Sequence, residues 1–143
     1  MNPLKFTDVV DAIAALSKDT TKVGAIILDA DHNILSVGFN GIPRGVDDDV
    51  PARHERPEKY YWTSHAEENA IAQAARIGAK LLGSTILVST LHPCAACTRM
   101  IIQAGIKKVY APNPMAHWQD RWRDEAARST VMFYEAGVEL VLY

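Results

Sequence analysis

The sequence predicts an α/β fold, a three-layer α/β/α sandwich around a five-stranded mixed sheet. Three observations carry that reading. Two β-branched-rich runs flank a polar turn within 23–39, three helix–strand units then follow in succession, and 143 residues suffice for one substantial core without disulfide staples. A hairpin sets the first two strands antiparallel. Right-handed crossovers through single helices make the later strands parallel, with helices on both faces.

Residues 6–16 carry apolar side chains at Phe6, Val9, Val10, Ile13 and Leu16, a helical stripe whose first turn Thr7 or Asp8 can serve. A polar connection, 17–22, leads to a buried strand over 23–28. Asp29 to Asn33 is turn chemistry, and 34–39 is the returning strand. Residues 40–63 form the least regular part, broken by Pro43, Pro51 and Pro57 and holding both Asp47-Asp48-Asp49 and the bases Arg44, Arg53 and Arg56. A loop longer than about 15 residues in a compact domain marks a functional or partner-facing segment. From 65 to 77, Ala66, Ala70, Ile71, Ala74, Ala75 and Ile77 give a small-residue helical face able to lie close against a sheet, with Gly78 as its stop. A strand over 85–90, a helix over 94–104 ended by Gly105, a strand over 108–111, a helix over 122–136 ended by Gly137 and a strand over 138–143 complete the order αββαβαβαβ. No repeat, linker or low-complexity segment divides the chain, so residues 1–143 are expected to form a single domain.

Composition narrows the function. With 48% hydrophobic and 22% charged residues the chain is ordinary for a globular protein. No apolar run approaches the roughly 18–20 residues of a membrane span, and the first residues lack a basic region followed by an apolar core. A cytoplasmic protein with no membrane partner is expected. A net charge of −2 disfavours broad nucleic-acid binding but leaves room for an anionic small molecule held by a few local cations.

Chemistry concentrates in two motifs. Ser64-His65-Ala66-Glu67 supplies an imidazole and a carboxylate two residues apart; His92-Pro93-Cys94-Ala95-Ala96-Cys97 supplies the only two cysteines. Each sits at the predicted start of a helix. Cys94 and Cys97, at i and i+3, share one helical face, Pro93 suits the first turn, and the positive end of the helix favours thiolates. Two thiolates and one neutral imidazole suit one zinc ion with an open fourth position. Such a centre carries no net charge, so a nearby carboxylate is needed to move protons, and Glu67 is placed for it. A lone C-x-x-C also fits a redox pair, and a closed structural zinc would need His92, His54 or His117 as its fourth ligand. The combined H-x-E…P-C-x-x-C pattern is the signature of zinc-dependent nucleobase deaminases.

On these motifs the chain resembles the cytidine/deoxycytidylate deaminase superfamily, and most of all its deoxycytidylate (dCMP) branch. The resemblance extends through Ser17-Lys18-Asp19 before Lys22-Val23-Gly24-Ala25, Gly38-Phe39-Asn40-Gly41-Ile42-Pro43-Arg44-Gly45, the stretch 101–107 and Glu135-Ala136-Gly137-Val138. It implies zinc on His65, Cys94 and Cys97, Glu67 as proton shuttle, and hydrolysis of dCMP to dUMP and ammonia in dTTP precursor supply. It further implies that Asn40 bonds the sugar, that the Ala66 N–H and a carbonyl within 89–92 read the pyrimidine edge, and that Lys18, Lys22 or Arg44 meets the phosphate. Relatives in this branch suggest a hexamer with dCTP and dTTP as effectors acting near Gly38, Phe39, Gly41 and Arg44. Segment 47–63 holds no cysteine, which argues against a second, structural zinc. Tyr60, Tyr61 and Trp62, and the stretch 112–118 with Trp122, are candidates to wall the pocket or an interface. The competing readings are the same chemistry on dCTP, a 5-modified dCMP or a free nucleoside, an editor of tRNA or single-stranded DNA, and a zinc-stabilised interaction module.

Overall fold

The computed structural model describes residues 2–116 and 120–143. His117 and Trp118, singled out above, lie outside the described residues. A 3-10 turn at Pro3–Phe6 leads into α1 (Thr7–Ala14), followed by β1 (Gly24–Leu28) and β2 (Ile34–Phe39). Then come α2 (Lys59–Trp62), α3 (Ala66–Ile77), β3 (Thr85–Val88), α4 (Ala95–Gln103), β4 (Lys108–Ala111), α5 (Asp120–Ala136) and β5 (Glu139–Leu142). The sheet order is β2-β1-β3-β4-β5, with β1 antiparallel to β2 and β3, and β3, β4 and β5 mutually parallel. This is the mixed five-stranded sheet that the hairpin and the single-helix crossovers predict.

Strand alternation divides the core into two. Ala25, Ile27, Ile86, Val88, Val109 and Ala111 face α3, α4 and α5, packing with Ala70, Ile101 and Phe133. Ile26, Leu28, Leu87 and Tyr110 face the other way, toward Val10 of α1 with Leu4 and Phe6. Every β1 residue is buried, as a central strand covered on both faces requires.

Most element ends shift by one or two residues from the sequence pattern, and two departures have a physical reason. The strand expected to reach residue 90 ends at Val88 because Thr90 takes a left-handed backbone (φ 68) and its hydroxyl donates to the Lys22 carbonyl at 2.7 Å. The irregular stretch after β2 is closed at its base by Gly41 and Ser64, which exchange backbone hydrogen bonds of 3.0 and 2.9 Å. Inside it sit a 3-10 turn at Pro51–His54 and the short α2, whose Lys59 is buried. Tertiary contacts, not periodicity, make this segment regular.

The approach of α3 to β2 sets where the motifs meet. A Cβ on Gly38 would stand 2.4 Å from both the Ala66 carbonyl oxygen and the Ala70 nitrogen, and the Ser36 hydroxyl donates to the Ala70 carbonyl at 2.7 Å. Gly38→Ala should therefore destabilise the fold by about 1–3 kcal/mol, the cost of overpacking a close contact. Gly41→Ala, whose nearest neighbour is 4.0 Å away, should stay within about 0.5 kcal/mol of the parent in the same urea titration. Equal stabilities for the two variants would refute the close-packing account.

Candidate active site

His65 occupies the N-cap of α3 with extended backbone, and its N–H donates to Glu68 Oε1 at 2.9 Å. Cys94 occupies the N-cap of α4, and its sulfur accepts from the Cys97 N–H at 3.4 Å. Both motifs thus open helices, as their spacing predicts, and the two helix N-termini converge. His65 Nδ1 lies 3.3 Å from Cys97 Sγ and 3.5 Å from Cys94 Sγ. All three donor atoms lie within 4.8 Å of one another. Tetrahedral zinc, with bonds of about 2.0–2.3 Å, spaces its ligands by about 3.5–3.8 Å, so this donor set fits one zinc ion. Among the described residues no fourth His, Cys, Asp or Glu joins the group, which leaves a coordination position free, as in catalytic rather than structural sites. His54 is held elsewhere, with Nε2 on the Asp48 carbonyl. His92 is buried, with Nδ1 3.1 Å from the Pro93 carbonyl oxygen.

Without metal, the three donors polarise one another. The hydrogen bond from the Cys97 thiol, helped by His65 and opposed by burial, brings Cys94 down to about 4. The bond to Cys94 raises His65 to about 9 against the cost of burial. Cys97 is pushed up by donating to Cys94, by burial and by the charge of Glu67. The metal-free site is therefore a Cys94 thiolate paired with a His65 imidazolium, with Cys97 as thiol. Glu67 is only 4% exposed; burial pushes its carboxyl above the ordinary range while the His65 charge pulls against that shift.

The site opens into a cleft of about 720 Å³. Glu67, His65, Cys94, Ala66 and Asn40 line it together. Asn40 is buried, its Oδ1 accepting from the Val23 N–H at 2.9 Å and its Nδ2 donating to the Thr21 carbonyl at 2.8 Å. One N–H and one lone pair of its amide are left over. Lys18, Lys22 and Arg44 are not on this wall. Lys18 pairs with Asp48 at 2.9 Å, Lys22 donates to the Ser17 carbonyl, and Arg44 donates to Gln73 at 2.6 Å. Phe39, 36% exposed, stands outside the lining as well.

The cations that do line the cleft are Arg56, Lys59 and Arg121. Lys59 reaches Asp19 at 3.2 Å, both side chains nearly buried. Asp19 stays below the usual carboxylate value despite its burial, because the Thr21 N–H and Lys59 outweigh that cost. Among the described residues neither Arg56 nor Arg121 has an ion-pair partner; Arg121 lies over the Trp122 ring at 5.4 Å. Asp19 was visible within the Ser-Lys-Asp motif. Glu125, which also lines the cleft, carries no signal of its own in the sequence. Tyr60 and Trp122 line the cleft as wall residues, whereas Tyr61 is 83% exposed.

Residues 4–112 match the family described as the cytidine and deoxycytidylate deaminase zinc-binding region. An uncharacterized deaminase from Aliivibrio fischeri is 45% identical over 138 residues, 95% of this chain and 89% of the relative. The human deoxycytidylate deaminase is 37% identical over 142 residues, 95% of this chain and 76% of its own. Among solved structures, the dCMP deaminase of cyanophage S-TIM5 in complex with dCMP and dUMP superposes with a TM-score of 0.78. It is 29% identical, and the match covers 100% of this chain and 99% of that one.

The charge state of the metal-free site has a measurable consequence. Zinc needs a neutral imidazole and two thiolates, whereas at pH 7 His65 and Cys97 each still hold a proton. Zinc binding at pH 7 should release about two protons per ion, and affinity should rise with pH through the His65 value of about 9. Calorimetry in buffers of different ionisation enthalpy reads the proton count; a count near zero would overturn this electrostatic picture.

Proposed function

The chain belongs to the cytidine and deoxycytidylate deaminase family, and on that premise we propose that it hydrolyses dCMP to dUMP and ammonia. The observation that carries the reading is a buried carboxylate, Glu67, lining one cleft with His65 and Cys94, two of the three residues of the His65, Cys94 and Cys97 donor set. His65, Cys94 and Cys97 would hold the zinc, which would supply a Lewis acid able to lower the pKa of a water toward neutral pH. Glu67 takes the proton that water loses when it attacks C4 of the cytosine. The carboxyl passes that proton to the ring nitrogen, then carries the water's second proton from the new C4 hydroxyl to the departing amine, so that water plus dCMP balances to dUMP plus ammonia. Burial, which raises the Glu67 carboxyl above the ordinary range, favours its holding a proton between these transfers. Asn40 offers its spare amide hydrogen and lone pair to the sugar, and Ala66 borders the base.

For the phosphate we take Arg56 and Arg121 over Lys18, Lys22 and Arg44. The first two line the cleft without a carboxylate partner among the described residues, whereas the other three are engaged away from it. Each charge-assisted contact is worth about 1.5–3 kcal/mol. Arg56→Ala and Arg121→Ala should each raise KM for dCMP roughly 10–100-fold and leave deoxycytidine turnover unchanged. Lys18→Ala should alter neither. A loss confined to the Lys18 variant would return the phosphate to the Ser-Lys-Asp segment.

The same reading carries a cytoplasmic homo-oligomer, with a hexamer favoured, and dCTP and dTTP as effectors acting near Gly38 to Arg44. None of the described helices is long and apolar enough to cross a membrane. Ammonia release from dCMP, dCTP, 5-methyl-dCMP, deoxycytidine and single-stranded DNA, with and without dCTP and dTTP, tests the substrate and its control together. dCMP should be turned over fastest; equal rates on dCMP and deoxycytidine would remove the phosphate from recognition. Glu67→Gln should keep its zinc and lose turnover by about 100-fold or more. Undiminished turnover in that variant would take Glu67 out of the mechanism.

A further inference from the structure

The turn that carries both thiolates is gripped from α5. Glu125 Oε1 accepts from the Ala95 N–H at 2.9 Å, and the Ser129 hydroxyl donates to the Pro93 carbonyl at 3.0 Å. Ala95 is the first residue of α4, so its N–H is one of the donors that a helix leaves without an internal partner. A carboxylate at that end is doubly favoured, by the hydrogen bond and by the helix dipole. Ser129 is wholly buried, and Pro93 has no N–H of its own with which to anchor the turn. The two bonds therefore flank Cys94 on either side. Glu125 and Ser129 stand four residues apart on α5 and share a face with the buried Ala126 and Phe133, which seat that helix in the core.

We propose that Glu125 and Ser129 are positioning residues for the zinc ligands, so that metal affinity depends on the docking of α5. They lie outside residues 4–112, the span matched by the family's zinc-binding region, so the clamp belongs to the C-terminal helix–strand unit rather than to the ligand motifs. Neither side chain reaches a donor atom. Each fixes the backbone on one side of Cys94, and with it the direction from which that sulfur meets the ion. Outer partners of this kind are worth about 10–100-fold in metal affinity when removed. The inference rests on the metal reading of His65, Cys94 and Cys97 and is independent of which pyrimidine the cleft accepts.

The test is zinc affinity of the full chain by competition with a chromophoric chelator, alongside thermal unfolding of the metal-free protein. Glu125→Ala and Ser129→Ala should each weaken zinc about 10-fold or more. Glu125→Gln, which keeps an acceptor oxygen for Ala95, should recover most of the loss. Arg128→Ala, on the exposed side of α5, should change nothing. A merely structural role would lower the melting temperature of the metal-free variants and leave the affinity of the folded protein at the parent value. That pattern would overturn the proposal, as would a Gln variant no better than Ala. Failure of the parent chain to bind about one zinc would overturn the metal reading and the clamp with it, whereas zinc binding without dCMP turnover would leave the clamp standing.

Discussion

The site depends on how closely α3 lies against the sheet. Three alanines of that helix, Ala66, Ala70 and Ala74, are fully buried, and the backbone at Gly38 lies against Ala66 and Ala70. No larger side chain would allow this separation, because interiors pack at near-crystalline density. The consequence reaches beyond stability. His65 caps this helix, so the depth of α3 sets where the imidazole stands relative to the thiols on α4.

Convergence of two helix ends also explains the chemistry. Each N-terminus leaves backbone donors unpaired and carries partial positive charge, which favours anions placed there. At α4 the anions are Cys94 on the turn and Glu125 behind it. At α3 the Glu68 carboxylate takes the His65 N–H. Two thiolates would repel one another in this nearly buried place without a cation. The metal-free site answers that problem by charging His65 and keeping Cys97 protonated; zinc answers it by replacing both protons. Glu67, just inside α3, is held between burial and the His65 charge.

Much of this could be read from the chain, and the parts that could not share a cause. The zinc donors and Glu67 were legible because their spacing is local: a ligand pair within one helical turn, and an imidazole and carboxylate two residues apart. The fold was legible because strand and helix periods are local too. The cleft walls were not. Lys18, Lys22 and Arg44 stood in the matching motifs, yet sequence adjacency says nothing of where a long side chain turns, and each finds a partner off the cleft. Arg56 and Arg121 lie 65 positions apart in the numbering and meet the same cavity only through the fold. Glu125 looked like one more charge on a polar helix face. Its role is set by a backbone N–H thirty residues earlier.

The same argument accounts for the least regular segment. A stretch with three prolines and three consecutive aspartates has no periodicity of its own, yet it places Lys59 in a nearly buried ion pair with Asp19. Burying two charges costs more than a surface pair returns, so such pairs are poor evidence for stability. What the pair provides is position. Asp19 lies in the connection before β1, and Lys59 lies in the loop after β2. Their contact, with the Lys18–Asp48 pair at 2.9 Å, ties these two segments together. Both segments line the cleft, as does Asn40 between them in sequence. Breaking either partner would leave a lone charge beside the substrate site, so the loop is constrained to return to one place over the cleft. A segment with little regular structure thereby acquires a fixed address, and the cleft acquires a wall.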